Sequence, residues 1–267
     1  MKSRESNVQL KIGLFVLVSI LVLMGVFFLM RSLSIGIDLD TRWQPPSSQF
    51  PLGTDELGRD LLSCVVYGAG ISIFTGFVVV ILSSCIGVLV GMVSGFAGGL
   101  IDSILMRVVD IILAFPGILL ALGLSAFLNP GVFGIIFILT FSSWVGYARL
   151  VRAEVLKHKH KEFILAARSY NASFGRIIFF HLLPLILPIL LAQASVGAAG
   201  VILAESSLNF LGLGLGPEVP TLGQLIDIGI AHIYDQPRFI VAPGVVLFSI
   251  IIAFNFIGEG LRKKFTR

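Results

Sequence analysis

The strongest constraint in this sequence is a series of apolar runs, each about as long as the roughly 20 residues a helix needs to cross a bilayer. Ile12 to Met30 is one, bracketed by Lys11 and Arg31. No small-x-small cleavage site follows it, so it reads as a retained anchor rather than a signal peptide. Gly68 to Ser94, Ile104 to Leu128 (interrupted by Pro116), Val132 to Ala148, Leu182 to Leu203 and Phe239 to Ile257 complete a set of six. Gly95-Phe96-Ala97-Gly98-Gly99 and Asn129-Pro130-Gly131 are the breaks around the third run. Of the 267 residues 56% are hydrophobic and 13% charged, with a mean hydropathy of +1.00. Soluble domains carry about 25% charged residues, and so apolar a chain of this length could not hide its surface from water. A soluble enzyme, a disordered tail and a disulfide-stapled secreted domain are excluded. Cys64 and Cys85, both in apolar surroundings, offer neither a disulfide framework nor metal spacing. The expected fold is an all-α integral membrane protein with six transmembrane helices.

The placement of charge sets the orientation. With both termini cytoplasmic, only Arg31, Arg42, Arg59 and Arg238 of the 19 basic residues face outward. Seven of the others lie between Arg149 and Arg176, and Arg262, Lys263, Lys264 and Arg267 close the chain. Asp38, Asp40, Asp55, Glu56, Asp60, Glu218, Asp227 and Asp235 lie outside. This satisfies the positive-inside rule, and it removes the case for nucleic acid that a net charge of +4 would otherwise raise.

The cytoplasmic segment between the fourth and fifth spans is too long for a turn. Phe163, Ala166, Ala167 and Tyr170 recur at i, i+3, i+4 and i+7, which predicts one face of a short helix. Glu162 lies in its first turn, where negative charge suits the helix N-terminus. Asn171 ends it at a position suited to left-handed backbone, and Ser173 can cap a second short helix leading to Leu183-Pro184. Such a helix either lies on the lipid or docks on a cytoplasmic partner. The two alanines favour docking, because lipid insertion calls for bulky side chains.

Ala166-Ala167, Asn171 and Leu183-Pro184 resemble the E-A-A-x3-G-x9-I-x-L-P loop of ABC importer permeases, with Leu165, Asn171 and His181 where that motif has Glu, Gly and Ile. Phe50-Pro51-Leu52-Gly53-Thr54-Asp55-Glu56-Leu57-Gly58-Arg59-Asp60 resembles the P-L-G-T-D-x-x-G-R-D signature of the C-type permeases of dipeptide, oligopeptide and nickel importers. Asp102, Met106-Arg107, Asp110 and Ala114-Phe115-Pro116 match a second block. Ala204-Glu205-Ser206-Ser207-Leu208-Asn209-Phe210-Leu211-Gly212-Leu213-Gly214 match a third, and Pro243-Gly244 with Phe254 to Arg262 a fourth. The motifs stand in family order from about residue 12 to the end. The resemblance implies the type I, MetI-like permease fold in the inner membrane, with a cytoplasmic coupling helix that meets the ATPases through Glu162, Phe163, Ala166, Ala167, Tyr170 and Asn171. It also implies a second, B-type permease, two ABC ATPase subunits holding ATP and Mg, and an extracytoplasmic substrate-binding protein. The cargo is small peptides or a nickel chelate. The expected organisation is an N-terminal tail and anchor (1–31), an outer segment (32–67), a five-span core (68–260) containing the loop 149–184, and a basic tail (261–267).

The remaining polar residues read as structural. Asp55, Arg59 and Asp60 would cap and pair at the start of the second span rather than form a metal or substrate site. Arg107 and Asp110, three apart, are neighbours on one helix face and suit an interfacial pair more than a pathway pair. Glu205 either stabilises the bundle interior or lines a gate. Gly53, Thr54, Gly58 and Pro184 belong to the motifs as conformational residues. His158 and His160 read as part of a solvated basic stretch, and no metal site is expected from them, His181 or His232. No phosphate-binding G-x4-G-K-S/T loop occurs, nor any nucleophile–base signature, so ATP hydrolysis belongs to other subunits. Two rivals compete: an ion-gradient transporter, which needs ionisable or broken-helix sites near the midplane, and a non-transporting membrane scaffold.

Overall fold

The computed structural model describes residues 2–30, 35–128, 131–216 and 218–265. Arg31, Arg267 and the Asn129-Pro130 turn lie outside them. Ten helices carry the fold among the described residues: α1 (Lys2–Met30), α2 (Leu61–Ala97), α3 (Gly99–Leu113), α4 (Gly117–Ser125), α5 (Val132–His158), α6 (Glu162–Ser169), α7 (Phe174–Ile177), α8 (Leu183–Phe210), α9 (Leu222–Ala231) and α10 (Arg238–Phe265). Among the described residues, five helical stretches are long and apolar enough to span a bilayer. α2 and α5 pack most extensively, α8 lies against both, and α10 packs on α8 on one side and α1 on the other.

The third of the six expected spans is broken. α3 and α4 meet at an angle of 80° across Ala114-Phe115-Pro116. Pro116 has no amide proton to continue the ladder and disfavours helical backbone at Phe115. α4, nine residues and about 13 Å long, is too short to cross alone. Pro184 and Pro188 act more mildly at the start of α8. Each removes one helical donor, and a single wide turn, Ile178–Leu182, takes up the mismatch as α7 runs into α8.

Two helices run past their apolar stretches. α2 starts at Leu61 instead of Gly68, because Asp60 caps it by accepting from the Ser63 amide at 3.1 Å. α5 continues from Ala148 to His158 through the basic residues. The Arg152 guanidinium grips Asp102 of α3 with two bonds of 2.6 and 2.7 Å, and Lys159 Nζ donates to the Gly95 carbonyl near the end of α2 at 2.9 Å. His158 is buried rather than solvated, with Nε2 3.3 Å from Glu154. The expected boundaries at 67/68 and 260/261 fall inside α2 and α10. α9, in the stretch between α8 and α10, was not anticipated. Thr221 caps it, and Leu222 and Leu225 bury it against the core beside Phe239.

Candidate functional site

α6 is held to the bundle by one side. Ile164, fully buried, enters a core formed by Met92 of α2, Val151 and Val155 of α5, and Ile177, Leu182 and Ile186. Ala167, one turn on, packs partly against the same core. The Arg168 guanidinium lies 4.4 Å over the Phe96 ring, which meets Phe174 edge-on at 5.0 Å. The helix ends in a Schellman motif. Asn171 sits at φ 59°, its amide donates to Arg168 O at 2.9 Å, and the Ala172 amide donates to Ala167 O at 3.0 Å. Ser173 then caps α7, accepting from the Arg176 amide at 3.4 Å.

The opposite side of α6 faces open space. Phe163 is 41% exposed and Tyr170 89%, with Glu162, Leu165 and Ala166 also exposed. Phe163, Ala166 and Tyr170 therefore share an outward apolar face, while Ala167 turns to its edge and half into the core. Ile164 was absent from the expected pattern. Its spacing of three from Ala167 was the available signal, but two apolar stripes on an eight-residue helix look alike until a neighbour selects one.

The motif from Gly53 to Asp60 forms a lock over the start of α2. Asp55, Arg59 and Asp60 are buried. Asp55 accepts from Arg59 Nε at 2.7 Å and from the amides of Leu57 and Arg59 at 2.9 and 2.8 Å. Gly58, at φ 74°, lies so close to the Asp38 carbonyl that no side chain fits. Gly53 is also left-handed, at φ 79°. Thr54 Oγ1 accepts from the Gln44 amide at 2.8 Å and donates to the Thr41 carbonyl, and Arg238 ties Gln44 O to the start of α10 at 3.2 Å.

The other polar motifs also join helices. Asp110 pairs with Arg149 of α5 rather than with Arg107 one turn away, which is exposed. Glu205 is fully buried. Its carboxylate accepts from Ser72 Oγ of α2 at 2.7 Å, Ser206 Oγ at 3.3 Å and Asn209 Nδ2 at 2.5 Å. Asn209 Oδ1 accepts from the Leu215 amide at 2.9 Å, binding the turn after α8 into the same network. Pro184 sits in the first turn of α8.

The model of the family described as "Binding-protein-dependent transport system inner membrane component" matches residues 87–267. The chain belongs to this family. It is 35% identical to a dipeptide transport system permease protein of Alkalihalophilus pseudofirmus, over 97% of this chain and 88% of that one. It is 36% identical to the Haemophilus influenzae dipeptide permease, over 79% and 72%. It is 34% identical to the oligopeptide transport system permease of Bacillus subtilis, over 97% and 85%. Among solved structures, an inward-facing form of the MetNI methionine ABC transporter superposes with a TM-score of 0.63 at 22% identity, covering 78% of this chain and 98% of that one.

The fold is therefore that of an ABC importer permease, as the motifs implied. A member of this family is a non-catalytic, multi-pass component of the inner membrane. Membership implies that ATP is consumed by partner subunits and that a substrate-binding protein serves the same system. No group of three or more His, Cys, Asp or Glu side chains that could hold a metal occurs among the described residues.

Proposed function

We propose that this chain is one of two permease halves of a peptide importer, and that α6 is where the motor's movement enters it. The observation that carries the reading is the division of α6 into two faces. Ile164 and the Arg168–Phe96 stack fix the helix to α2, α5 and α8, while Phe163, Ala166 and Tyr170 present apolar surface away from them. A push on that outward face would be carried by packed cores to whole spans, because close-packed interiors move as units rather than deform. Glu162 contributes charge at the helix start, and Asn171 fixes the turn that aims the helix.

Two ATPases in the cytoplasm, a second, B-type permease across the pathway and an extracytoplasmic binding protein complete the assembly. Both termini and the loop 149–184 lie on the cytoplasmic side, with segment 32–67 outside and the core 68–260 spanning. Peptides are preferred to nickel chelates as cargo, because the relatives named above are dipeptide and oligopeptide permeases.

The test is the reconstituted complex in liposomes with ATP and loaded binding protein. Ala166→Arg places a charged, bulky side chain on the outward face without entering the core. ATP hydrolysis should continue while peptide uptake falls at least tenfold, with the variant still assembled in the membrane. Normal uptake by the variant would show that this face meets nothing. Uptake by the wild type on an ion gradient without the ATPases would replace the reading with the secondary-transporter one.

A further inference from the structure

A cavity of about 310 Å³ opens between α2, α4, α5 and α8. Its wall includes Gly117, Ser143, Gly146, Tyr147, Gln193 and Gly200, and no lining residue is charged. Three observations set it apart from an ordinary helix seam. First, a Cβ added at Gly117, Gly146 or Gly200 would meet nothing within 4 Å, so nothing in the chain's own packing requires these glycines. Second, Tyr147 is 4% exposed and its hydroxyl has no hydrogen-bond partner among the described residues, although it ends at the cavity wall against Gly197. A buried hydroxyl left unpaired is costly, and that cost is recovered if a polar group visits the cavity. Third, Gln193 carries an exposed primary amide inside the α8 span. Polar side chains at such depth face protein or water rather than lipid.

We infer that this cavity is a station on the transport path, where Tyr147 Oη and the Gln193 amide hydrogen-bond to the peptide groups of the cargo. The inference rests on the peptide-importer reading above and adds how cargo is recognised. Neutral donors and acceptors with no ionised partner read what all peptides share, the amide N–H and C=O, and are indifferent to side-chain charge. Bare glycine backbone at Gly117, Gly146 and Gly200 leaves width for a passing chain. The crevice between α1, α2 and α10, lined by Ile20, Leu23, Met24 and Val65 among others, is the contrast. Its lining is almost wholly apolar and suits lipid.

The experiment uses the assembled transporter with its ATPases, partner permease and tri-alanine-loaded binding protein. In a Cys85→Ser background, Gln193→Cys and Gly200→Cys are exposed to a charged, membrane-impermeant thiol reagent, with Leu23→Cys as the apolar control. Labelling of the first two should run at least tenfold faster than at Leu23→Cys and slow during tri-alanine transport. Separately, Tyr147→Phe removes one oxygen and retains the ring. It should raise the KM for tri-alanine several-fold, and by the same factor for acidic and basic tripeptides, with kcat little changed. Labelling no faster than at the control, or a Tyr147→Phe effect confined to one cargo charge, overturns the inference. Fast labelling of a wild-type-like complex that takes up no peptide overturns instead the cargo reading of the preceding section.

Discussion

Along α2, Gly91 and Gly95 bring that helix onto α5 so closely that an added Cβ would lie 2.6 Å from the Ala148 carbonyl oxygen and 2.8 Å from Val155 Cβ. On another side of α5, at the cavity, Gly146 and its neighbours Gly117 and Gly200 have no atom within reach of the same imagined carbon. The residue type is the same, yet one set is required by the chain's own packing and the other is not. In a membrane, small residues at a seam are what allow helices to approach, since lipid provides no hydrophobic drive between them. A glycine without such a neighbour forgoes packing area and helix propensity, and at the cavity three of them line one wall.

The comparison breaks most visibly with paired leucines. Gly91→Leu forces α2 off α5 against backbone atoms, at the top of or beyond the roughly 1–3 kcal/mol typical of overpacking. Loss of the folded permease from the membrane is the expected outcome, read by detergent-solubilised gel filtration. Gly200→Leu should leave the gel-filtration profile unchanged and reduce peptide uptake about tenfold by filling the cavity. If both variants fold equally well, the α2–α5 seam is looser than its distances imply. If Gly200→Leu transports normally, the cavity lies off the path.

The same division runs through α6 at smaller scale. Ala166→Arg should be silent in thermal stability and lose coupling. Ala167→Arg should lose coupling and also stability, because Ala167 packs partly against the core that holds Ile164. A charge pressed towards that core costs at least about 1–3 kcal/mol as an unpaired group. The two variants are separated by melting the purified complex. Equal melting temperatures would mean that the core relaxes away from Ala167.

Much of this was legible in the chain, and the exceptions have physical causes. The apolar runs predicted the long spans because bilayer thickness imposes length directly on sequence. The cap at Ser173 and the left-handed turn at Asn171 follow from local backbone chemistry, and both are found where local chemistry places them. What sequence could not supply was partner choice. Asp110 had Arg107 within one turn and pairs with Arg149, 39 positions away. Glu205 was ambiguous until Ser72, from another helix, came within 2.7 Å. Tyr147 carried no signal at all, since a lone tyrosine in a span becomes informative only when its hydroxyl is found without a partner. The break at Pro116 was visible as a proline, but neither its angle of 80° nor the ion pairs that join Asp102 and Asp110 of α3 to α5 could be read from it.

The smallest expected effect sharpens the comparison at a backbone position. Asn171 holds φ 59° in the turn that ends α6, where the related motif has glycine. Asparagine tolerates left-handed backbone and glycine does so without strain. Asn171→Gly should therefore change stability by well under about 1 kcal/mol, since relief of the turn is offset by greater freedom in the unfolded chain. Uptake and ATP hydrolysis should stay coupled. Asn171→Val meets the same geometry with a branched Cβ, for which positive φ is a true outlier, and should cost about 1–2 kcal/mol. That strain would loosen the Schellman turn and tilt Tyr170, the residue beside it, so coupling should weaken although no atom of the outward face has been replaced. A tight Asn171→Val variant, fully coupled and as stable as wild type, would mean that Ile164 and the Arg168–Phe96 stack alone aim the helix and that the turn is incidental to it.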